Sequence, residues 1–422
     1  MRGLSAIPGK SGSNFGSKLG STAMPEAALL TPVAPATAPR IRFDRNELSG
    51  AFGDIGTDFP LIVGMILVAK LDAASVLIMF GLMQLLTGFV YGMPMPAQPL
   101  KAMAVLVITR KVSGNVLYGG GLAIGITMFV LAATGLIDQL ARAIPKSVVR
   151  GIQFGLGLQL SLLALQDYIP ADGRRGYALA AVAFALTLML LGNRRFPPAP
   201  FVILLGIAYA LVFKLNPVAL AHSAGLHLPH LYRPSVADVL TGFVVLALPQ
   251  LPLSLGNSIL ATSQIAHDFF PQRPVTVRKI SFTYSFMNLI NPFFGGVPTC
   301  HGSGGLAGHY TFGGRTGGSI VIYGSIYLAL GLFFSRGFQM AIELFPRPVL
   351  GVILAFEGLV LIRLARDMAA SLPDFTVVLL VGLICVGLPY GYVLGLVIGT
   401  GVAYLLKRQL TGLTKVGLPP SG

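Results

Sequence analysis

The sequence predicts a polytopic bundle of membrane-spanning helices, and three observations predict it. Hydrophobic residues make up 54% of the 422 residues and charged residues only 11%, where a soluble domain carries about 25%. Apolar runs follow one another with short breaks from residue 50 to residue 406, and a surface that apolar takes lipid as its solvent. The 30 Lys and Arg against 15 Asp and Glu give a net charge of +15. The basic residues gather in the breaks between apolar runs, which is the positive-inside pattern and not the footprint of a nucleic-acid binder. The bilayer is the expected surrounding, and no nucleic-acid partner is expected.

Taken in order, residues 1–45 read as a disordered N-terminal tail, rich in Gly, Ser, Ala and Pro. No cleavable signal peptide is visible there, and Arg2, Lys10 and Lys18 leave a targeting role open. Apolar segments of spanning character fall near 51–70, 73–92, 116–137, 147–166, 177–192, 200–214, 236–262, 278–295, 318–335, 348–364, 374–388 and 390–406. Two more, from Pro99 to Thr109 and from Ser303 to Phe312, are too short or too glycine-rich to span alone. The expected architecture is therefore all-α, with about fourteen transmembrane segments as seven-plus-seven inverted repeats. The first repeat is placed at 46–215, a connecting loop at 216–235, the second repeat at 236–408 and a short C-terminal tail at 409–422. An odd number of segments per half gives the halves opposite orientations. The interrupted segments are third in each half, so two broken half-helices meet at the midplane, where transporter sites lie. With the N-terminus in the cytoplasm, alternation places about twice as many Lys and Arg inside as outside and leaves both termini cytoplasmic. A plasma or inner membrane is the default residence, and an organelle fits if the tail is a targeting signal.

The first interrupted segment reads Met93-Pro-Met-Pro-Ala-Gln-Pro-Leu-Lys-Ala-Met103. Its prolines forbid a continuous helix, and Pro99 suits the first turn of a new one. That helix would start inside the membrane with free N–H groups and the positive end of its dipole. Lys101 lies in the first turn, where it either binds an anion or pairs with an acidic side chain such as Asp54. The second interrupted segment reads Gly295-Gly-Val-Pro-Thr-Cys-His-Gly-Ser-Gly-Gly-Leu-Ala-Gly-His-Tyr310. Gly302, Gly304 and Gly305 let backbone N–H groups approach a ligand closely, and Thr299 and Ser303 add hydroxyls. A glycine-rich turn that opens a helix is an oxyanion cradle; close helix packing through small residues is the competing reading. A fully deprotonated tetrahedral dianion only accepts hydrogen bonds and suits a site built of donors.

Other polar residues sit in apolar surroundings. Asp54 and Asp58 share one helical face and either balance Lys101, lie at the membrane end or relay a proton. Gln250, Ser254, Asn257 and Ser258 either donate to substrate or bond between helices. Glu357, inside the apolar run 349–361, is a candidate for coupling or charge balance. His301 beside the cradle either binds ligand or packs helices. Cys300 and Cys385 imply no disulfide framework or zinc site. His222, His227 and His230 lack the partners for a metal site. No metal and no cofactor are expected.

Phe52-Gly-Asp-Ile-Gly-Thr57, Pro94-Met-Pro-Ala-Gln-Pro-Leu-Lys-Ala102 and Pro298-Thr-Cys-His-Gly-Ser-Gly-Gly-Leu-Ala-Gly308, continuing to Phe312-Gly-Gly-Arg-Thr-Gly317, together resemble the molybdate transporter family, a distant branch of the sulfate permease superfamily. The likeness runs from Asn46 to Leu406, and the third motif is the most specific. It implies high-affinity molybdate uptake, a core domain that moves against a gate domain, and homodimerisation through the gate domain. By position it carries substrate-binding roles to Gln98 and Lys101 and to Thr299, His301, Gly302, Ser303, Gly304 and Gly305. Ala97 stands where Val is expected, Ser303 where Ala is common, and His309 where Gln is expected. Several superfamily members place an acidic residue where this chain offers Gln250, so their coupling mechanism does not transfer. The regulatory domain that follows the last helix in many sulfate permeases is expected to be absent here.

The leading expectation is a molybdate carrier with alternating access. Sulfate, tungstate or a broad oxyanion range is the nearest alternative, because such anions share shape and charge. A passive anion channel is the next. An intramembrane enzyme is not expected, since H-E-x-x-H is absent and His301 and Ser303 have no third partner in the sequence.

Overall fold

Each of the fourteen expected apolar segments carries a helix in the computed structural model, which describes residues 40–137, 139, 143–190, 198–213 and 224–415. The sequence expectations for Met1–Pro39 and for His222 lie outside the described residues. A short helix α1 (Arg45–Ala51) precedes α2 (Ile55–Ala69) and α3 (Ala73–Tyr91). The strand β1 (Gln98–Pro99) leads into the half-helix α4 (Lys101–Arg110), followed by α5 (Gly114–Thr134), α6 (Lys146–Leu163), α7 (Gly173–Leu190) and α8 (Pro198–Phe213). The second half runs α9 (Val236–Phe269), α10 (Val277–Ile290), β2 (Thr299–Cys300), the half-helix α11 (Ser303–Thr311), α12 (Gly318–Leu344), α13 (Arg347–Arg363), α14 (Leu372–Gly387) and α15 (Gly391–Lys415).

Length and composition divide these helices. Among the described residues six helical runs, with α6 and α7 counted as the single run Lys146–Leu190, are long and apolar enough to cross a membrane, or seven if α1 and α2, bent by 42°, count as one span. Phe201–Phe213 and α14 are apolar but shorter. The half-helices α4 and α11 have 10 and 9 residues, about half of what a 30 Å hydrocarbon layer requires. The helices pack in two groups. In one, α3 lies along α12, α5 against α9 and α10, and α2 on α4. In the other, α6 packs on α13 and α14, α14 on α15, and α7 on α8 and α13.

Local sequence explains the irregular stretches. Pro249 and Pro252 withdraw two N–H donors from α9, which adopts π-helical geometry on either side, at Phe243–Ala247 and Ser254–Ala261. The expected segment 318–335 extends to Leu344 with non-helical dihedrals at Phe334. The break frees the carbonyls of Leu332 and Phe333, which accept from the N–H groups of His227 and Gly225 at 2.8 and 2.9 Å. In the same loop His230 bonds Asp72 at 3.2 Å. Burial raises the Asp72 carboxyl, but bonds from Ser75 and His230 hold it below the usual carboxylate range. Glu47 of α1, wholly buried, accepts from the N–H groups of Arg315, Thr316 and Ser319 at 2.9–3.0 Å and ties α1 to the start of α12.

Extended backbone inside an apolar bundle needs partners that water cannot provide. The two extended segments obtain them in the same way. Gln84 of α3 donates to the Ala97 carbonyl at 2.6 Å and accepts from the Ala97 N–H at 2.9 Å. Asn288 of α10 donates to the Thr299 carbonyl at 2.6 Å and accepts from the Thr299 N–H at 2.9 Å. Each carboxamide acts as a neighbouring strand, and both side chains are fully buried. Replacing either by Ala orphans a buried donor and a buried acceptor, so Gln84→Ala and Asn288→Ala should each cost about 2–4 kcal/mol. Thermal unfolding in detergent should register this as a lowered midpoint; an unchanged midpoint in both variants contradicts the assignment.

Candidate functional site

β1 and β2 pair antiparallel, with Gln98 opposite Cys300 and Pro99 opposite Thr299. The Leu100 N–H extends the ladder to the Pro298 carbonyl at 3.0 Å. Antiparallel pairing sends α4 away from one end of the ladder and α11 away from the other. Both helices therefore present their N-terminal ends, with the first-turn N–H groups and positive dipole ends, to the same small region.

The two N-termini differ in how they are satisfied. Gln250, fully buried on α9, accepts through Oε1 from the N–H groups of Ala102 and Met103 at 2.9 and 3.3 Å. Its Nε2 donates to Ser254, which bonds Tyr284 at 2.8 Å. Gln250 thus caps α4, the interhelical reading that the sequence had left open. The N-cap of α11 is Gly302, and among the described residues no side chain accepts from its first-turn N–H groups as Gln250 does at α4. Ser303, the first residue of α11, donates to Asn257 Oδ1 of α9 at 2.8 Å. Ser303 and Asn257 line a cavity of about 520 Å³ that Lys146, Arg150 and Gln153 of α6 also line. One helix, α9, therefore touches both N-termini.

The glycines hold this geometry. A side chain at Gly302 would run into the Gln98 amide, and one at Gly305 into Asp54 and Gln98. Gln98, buried, donates through Nε2 to Asp54 at the start of α2. Gly304 has open space where a side chain would stand. Lys101 is half-buried, and among the described residues no carboxylate lies within 4.0 Å of its ammonium. It is the cation whose field acts on Asp54, Asp58 and Glu357.

The structure gathers Asp54, Gln98, Lys101, Gln250, Ser303 and the three glycines around the ladder, with Glu357 of α13 across the packing boundary. It commits two residues of the sequence list elsewhere. His301 is fully buried, with Nδ1 to the Pro96 carbonyl at 3.2 Å and Nε2 to Thr283 at 2.7 Å, so both ring nitrogens brace the extended segments. The Thr299 backbone is held by Asn288, and its hydroxyl accepts from Asn291 at 3.2 Å. Asp58 is not at an exposed membrane end; it is fully buried, with Tyr323 on Oδ2 at 3.3 Å and no partner on Oδ1. Sequence reasoning passed over Lys146, Arg150 and Gln84. Lys146 and Arg150 were counted only as charge on the cytoplasmic side, although the expected segment 147–166 already held Arg150 and the helix begins at Lys146. Among the described residues no cluster of three or more His, Cys, Asp or Glu could hold a metal ion.

Half-helices that meet beside an internal cavity, within a bundle of apolar helices, define an integral multi-pass membrane transporter fold. Solved structures share it. The transmembrane domain of the cyanobacterial bicarbonate transporter BicA matches with a TM-score of 0.61 at 15% identity, over 86% of this chain and 98% of that one. Murine Solute Carrier 26 family member A9 in the inward-facing state matches with a TM-score of 0.64 at 15% identity, over 97% and 77%. Sequence comparison narrows the class. The family described as "Molybdate transporter of MFS superfamily" matches residues 46–160 and 242–361. Molybdate transporter 1 of Arabidopsis thaliana is 33% identical over 76% of this chain and 80% of its own length. Molybdate transporter 2 of the same plant is 32% identical over 87% and 88%, and Molybdate transporter 1 of Chlamydomonas reinhardtii is 26% identical over 76% and 84%. The chain belongs to the molybdate transporter family.

Gly302 and Gln98 should be energetically coupled. Gly302→Ala alone forces the Gln98 amide off Asp54 and should cost about 1–3 kcal/mol. Gln98→Ala removes the obstacle, so the double variant should cost at least about 1 kcal/mol less than the two single costs added. Additive midpoints in thermal unfolding would remove the contact as the reason for glycine.

Proposed function

We propose that this protein carries molybdate across a membrane by alternating access, with the dianion held at the N-terminus of α11 and in the field of Lys101. The observation that carries the reading is the uncapped, glycine-rich α11 terminus at the inner end of the cavity. A deprotonated tetrahedral dianion offers acceptors only; the donors facing it in this reading are the first-turn N–H groups of α11, with the Lys101 ammonium at the α4 terminus, and the Ser303 hydroxyl joins them by giving up its bond to Asn257. Because Gln250 already occupies the α4 terminus, the anion is placed toward α11 and Asn257, with α4 contributing its dipole and Lys101. Gln98 acts through Asp54 and Gly302 in this reading, and His301 and Thr299 act by holding the ladder.

The same reading takes the two halves as inverted repeats of seven segments with fourteen membrane segments in all. Reciprocal packing supports this: α3 meets α12 while α5 meets α10, the second and fourth segments of each half exchanged. The matched clamps of Gln84 and Asn288 support it as well. The group built on α3, α5, α9 and α12 serves as the core domain. The group built on α6, α13 and α14 serves as the gate, with the homodimer formed through it. Both termini are assigned to the cytoplasm by charge. The cavity then opens to the cytoplasm, beside Lys146 and Arg150. Molybdate and sulfate differ mainly in size, and sulfate or tungstate is the second reading for the substrate.

Purified protein in liposomes should take up radiolabelled molybdate in a saturable manner. Lys101→Glu and Ser303→Phe should each lower uptake at least about tenfold, a loss of 1.4 kcal/mol or more, at equal protein in the membrane. Full uptake in both variants sinks the site. Uptake erased by about a hundredfold excess of sulfate makes the protein a general oxyanion carrier, and flux that never saturates makes it a channel.

A further inference from the structure

The cavity beside Ser303 has an outer end with its own chemistry. Lys146 and Arg150 are four apart on α6, so they share one face, and Lys146 is the first residue of that helix, at the positive end of its dipole. Both lean on a single carboxylate. Arg150 donates through Nη2 to Asp367 Oδ2, and the Lys146 ammonium lies 3.6 Å from the same oxygen. The Arg150 Nη1 donates to Gln153 Oε1 at 2.9 Å. Its Nε is buried and has no partner among the described residues. Lys146, Arg150 and Gln153 line the cavity, and Asp367 does not. Two cations thus share one monoanion that stands outside the space they border. The Arg150 side chain is 19% exposed and that of Asp367 is 44% exposed.

We propose that Lys146, Arg150 and Gln153 form an outer oxyanion station at the mouth of the cavity, and that Asp367 is a built-in competitor occupying those cations until a dianion arrives. The station deepens the carrier reading above and rests on it. A monocarboxylate leaves one positive charge of the pair unmatched, whereas a tetrahedral dianion matches both and has acceptors for the fork of Arg150. The position suits entry and exit. Ser303 and Asn257 close the inner end of the same cavity, so an anion released by the station meets the α11 terminus next. A cation pair at the mouth of a low-dielectric cavity also concentrates anions from solution, an effect that weakens as salt rises. A lipid phosphate carries the same chemistry. The inward course of the cavity to Ser303 and Asn257 favours the soluble oxyanion.

The two partners of the ion pair make opposite predictions. Asp367→Asn frees both cations and should lower the molybdate concentration for half-maximal uptake by at least about threefold; Arg150→Gln should raise it at least about tenfold. Raising the salt concentration should shrink the difference between the variants. The measurement uses the full-length protein in phosphatidylcholine vesicles, with a parallel set containing phosphatidylglycerol. If the pair is only a brace between α6 and the segment after α13, both variants lose uptake and thermal stability together. The charge-swapped Arg150→Asp/Asp367→Arg then restores them, and the station is overturned. A shift present only with phosphatidylglycerol assigns the cations to a lipid headgroup and overturns it as well. Saturable uptake by the unaltered protein with half-saturation moving the same way in both variants sinks the station alone. No uptake by the unaltered protein sinks the carrier reading and the station with it.

Discussion

The rest of the structure depends on one constraint: a polypeptide that breaks its helices inside an apolar bundle must still pair every buried N–H and C=O. Here the breaks fall at residues 92–100 and 295–302, and protein groups supply much of the pairing. The two breaks pair with each other through β1 and β2. On their outer sides Gln84 and Asn288 supply a carboxamide to each. His301 spans from Pro96 to Thr283. What remains is the set of N–H groups that begin α4 and α11, and there the two halves diverge. The α4 terminus is capped by Gln250, while the α11 terminus begins Ser-Gly-Gly and is left to the cavity. The proposed site lies where the pairing of backbone groups is incomplete, at the end whose glycines keep side chains out of the way.

The polar side chains of α9 connect this local chemistry to the packing of the whole. Gln250 and Asn257 are seven residues apart, so on a helix they lie on one face two turns apart. One reaches α4 and the other reaches Ser303 on α11. Pro249 and Pro252 and the π-helical stretch Ser254–Ala261 fall within or beside this face. Any movement of α9 relative to α6 therefore changes the cavity at both ends, because α6 carries the basic residues of its outer rim.

Much of this was legible in the sequence, and what was missed has a common physical cause. The helical class, the order of the elements and the two interrupted segments follow from apolar runs and proline spacing, which are local signals. Gly302, Gly305, Gln98 and Asp54 were picked out by motif and do converge, although the bond from Gln98 to Asp54 crosses 44 positions and no pattern announces it. Gln250 was legible as a buried polar group but not as a helix cap, since the N–H groups it accepts from lie 147 and 148 residues away. Thr299 and His301 were carried to the substrate by the family motif, with helix packing left open for His301. Asn288, Asn291 and Thr283, which hold them instead, sit in a helix whose polar residues look ordinary until the strand is laid against them. Fourteen spanning lengths could not be read reliably from hydropathy either, because short helices such as α4 and α11 are covered by protein and need not match the bilayer.

Electrostatics gives the last step. Among the described residues Lys101 is the cation whose field reaches Asp54, Asp58 and Glu357 together. A site that relied on fixed positive charge would not place three carboxyl groups around its lysine. In the proposed reading the attraction for a dianion comes chiefly from oriented dipoles: the two helix ends and the N–H groups of the glycine turn. Dipoles of this kind bind anions without the desolvation cost of burying several cations. They also fall off within a turn of the helix end, so they hold an anion only where it touches them. Net charge can then be kept for the rim, where Lys146 and Arg150 are partly solvated and inexpensive to maintain. The division follows from the medium: long-range attraction sits where water tolerates charge, and short-range hydrogen bonding sits where it does not.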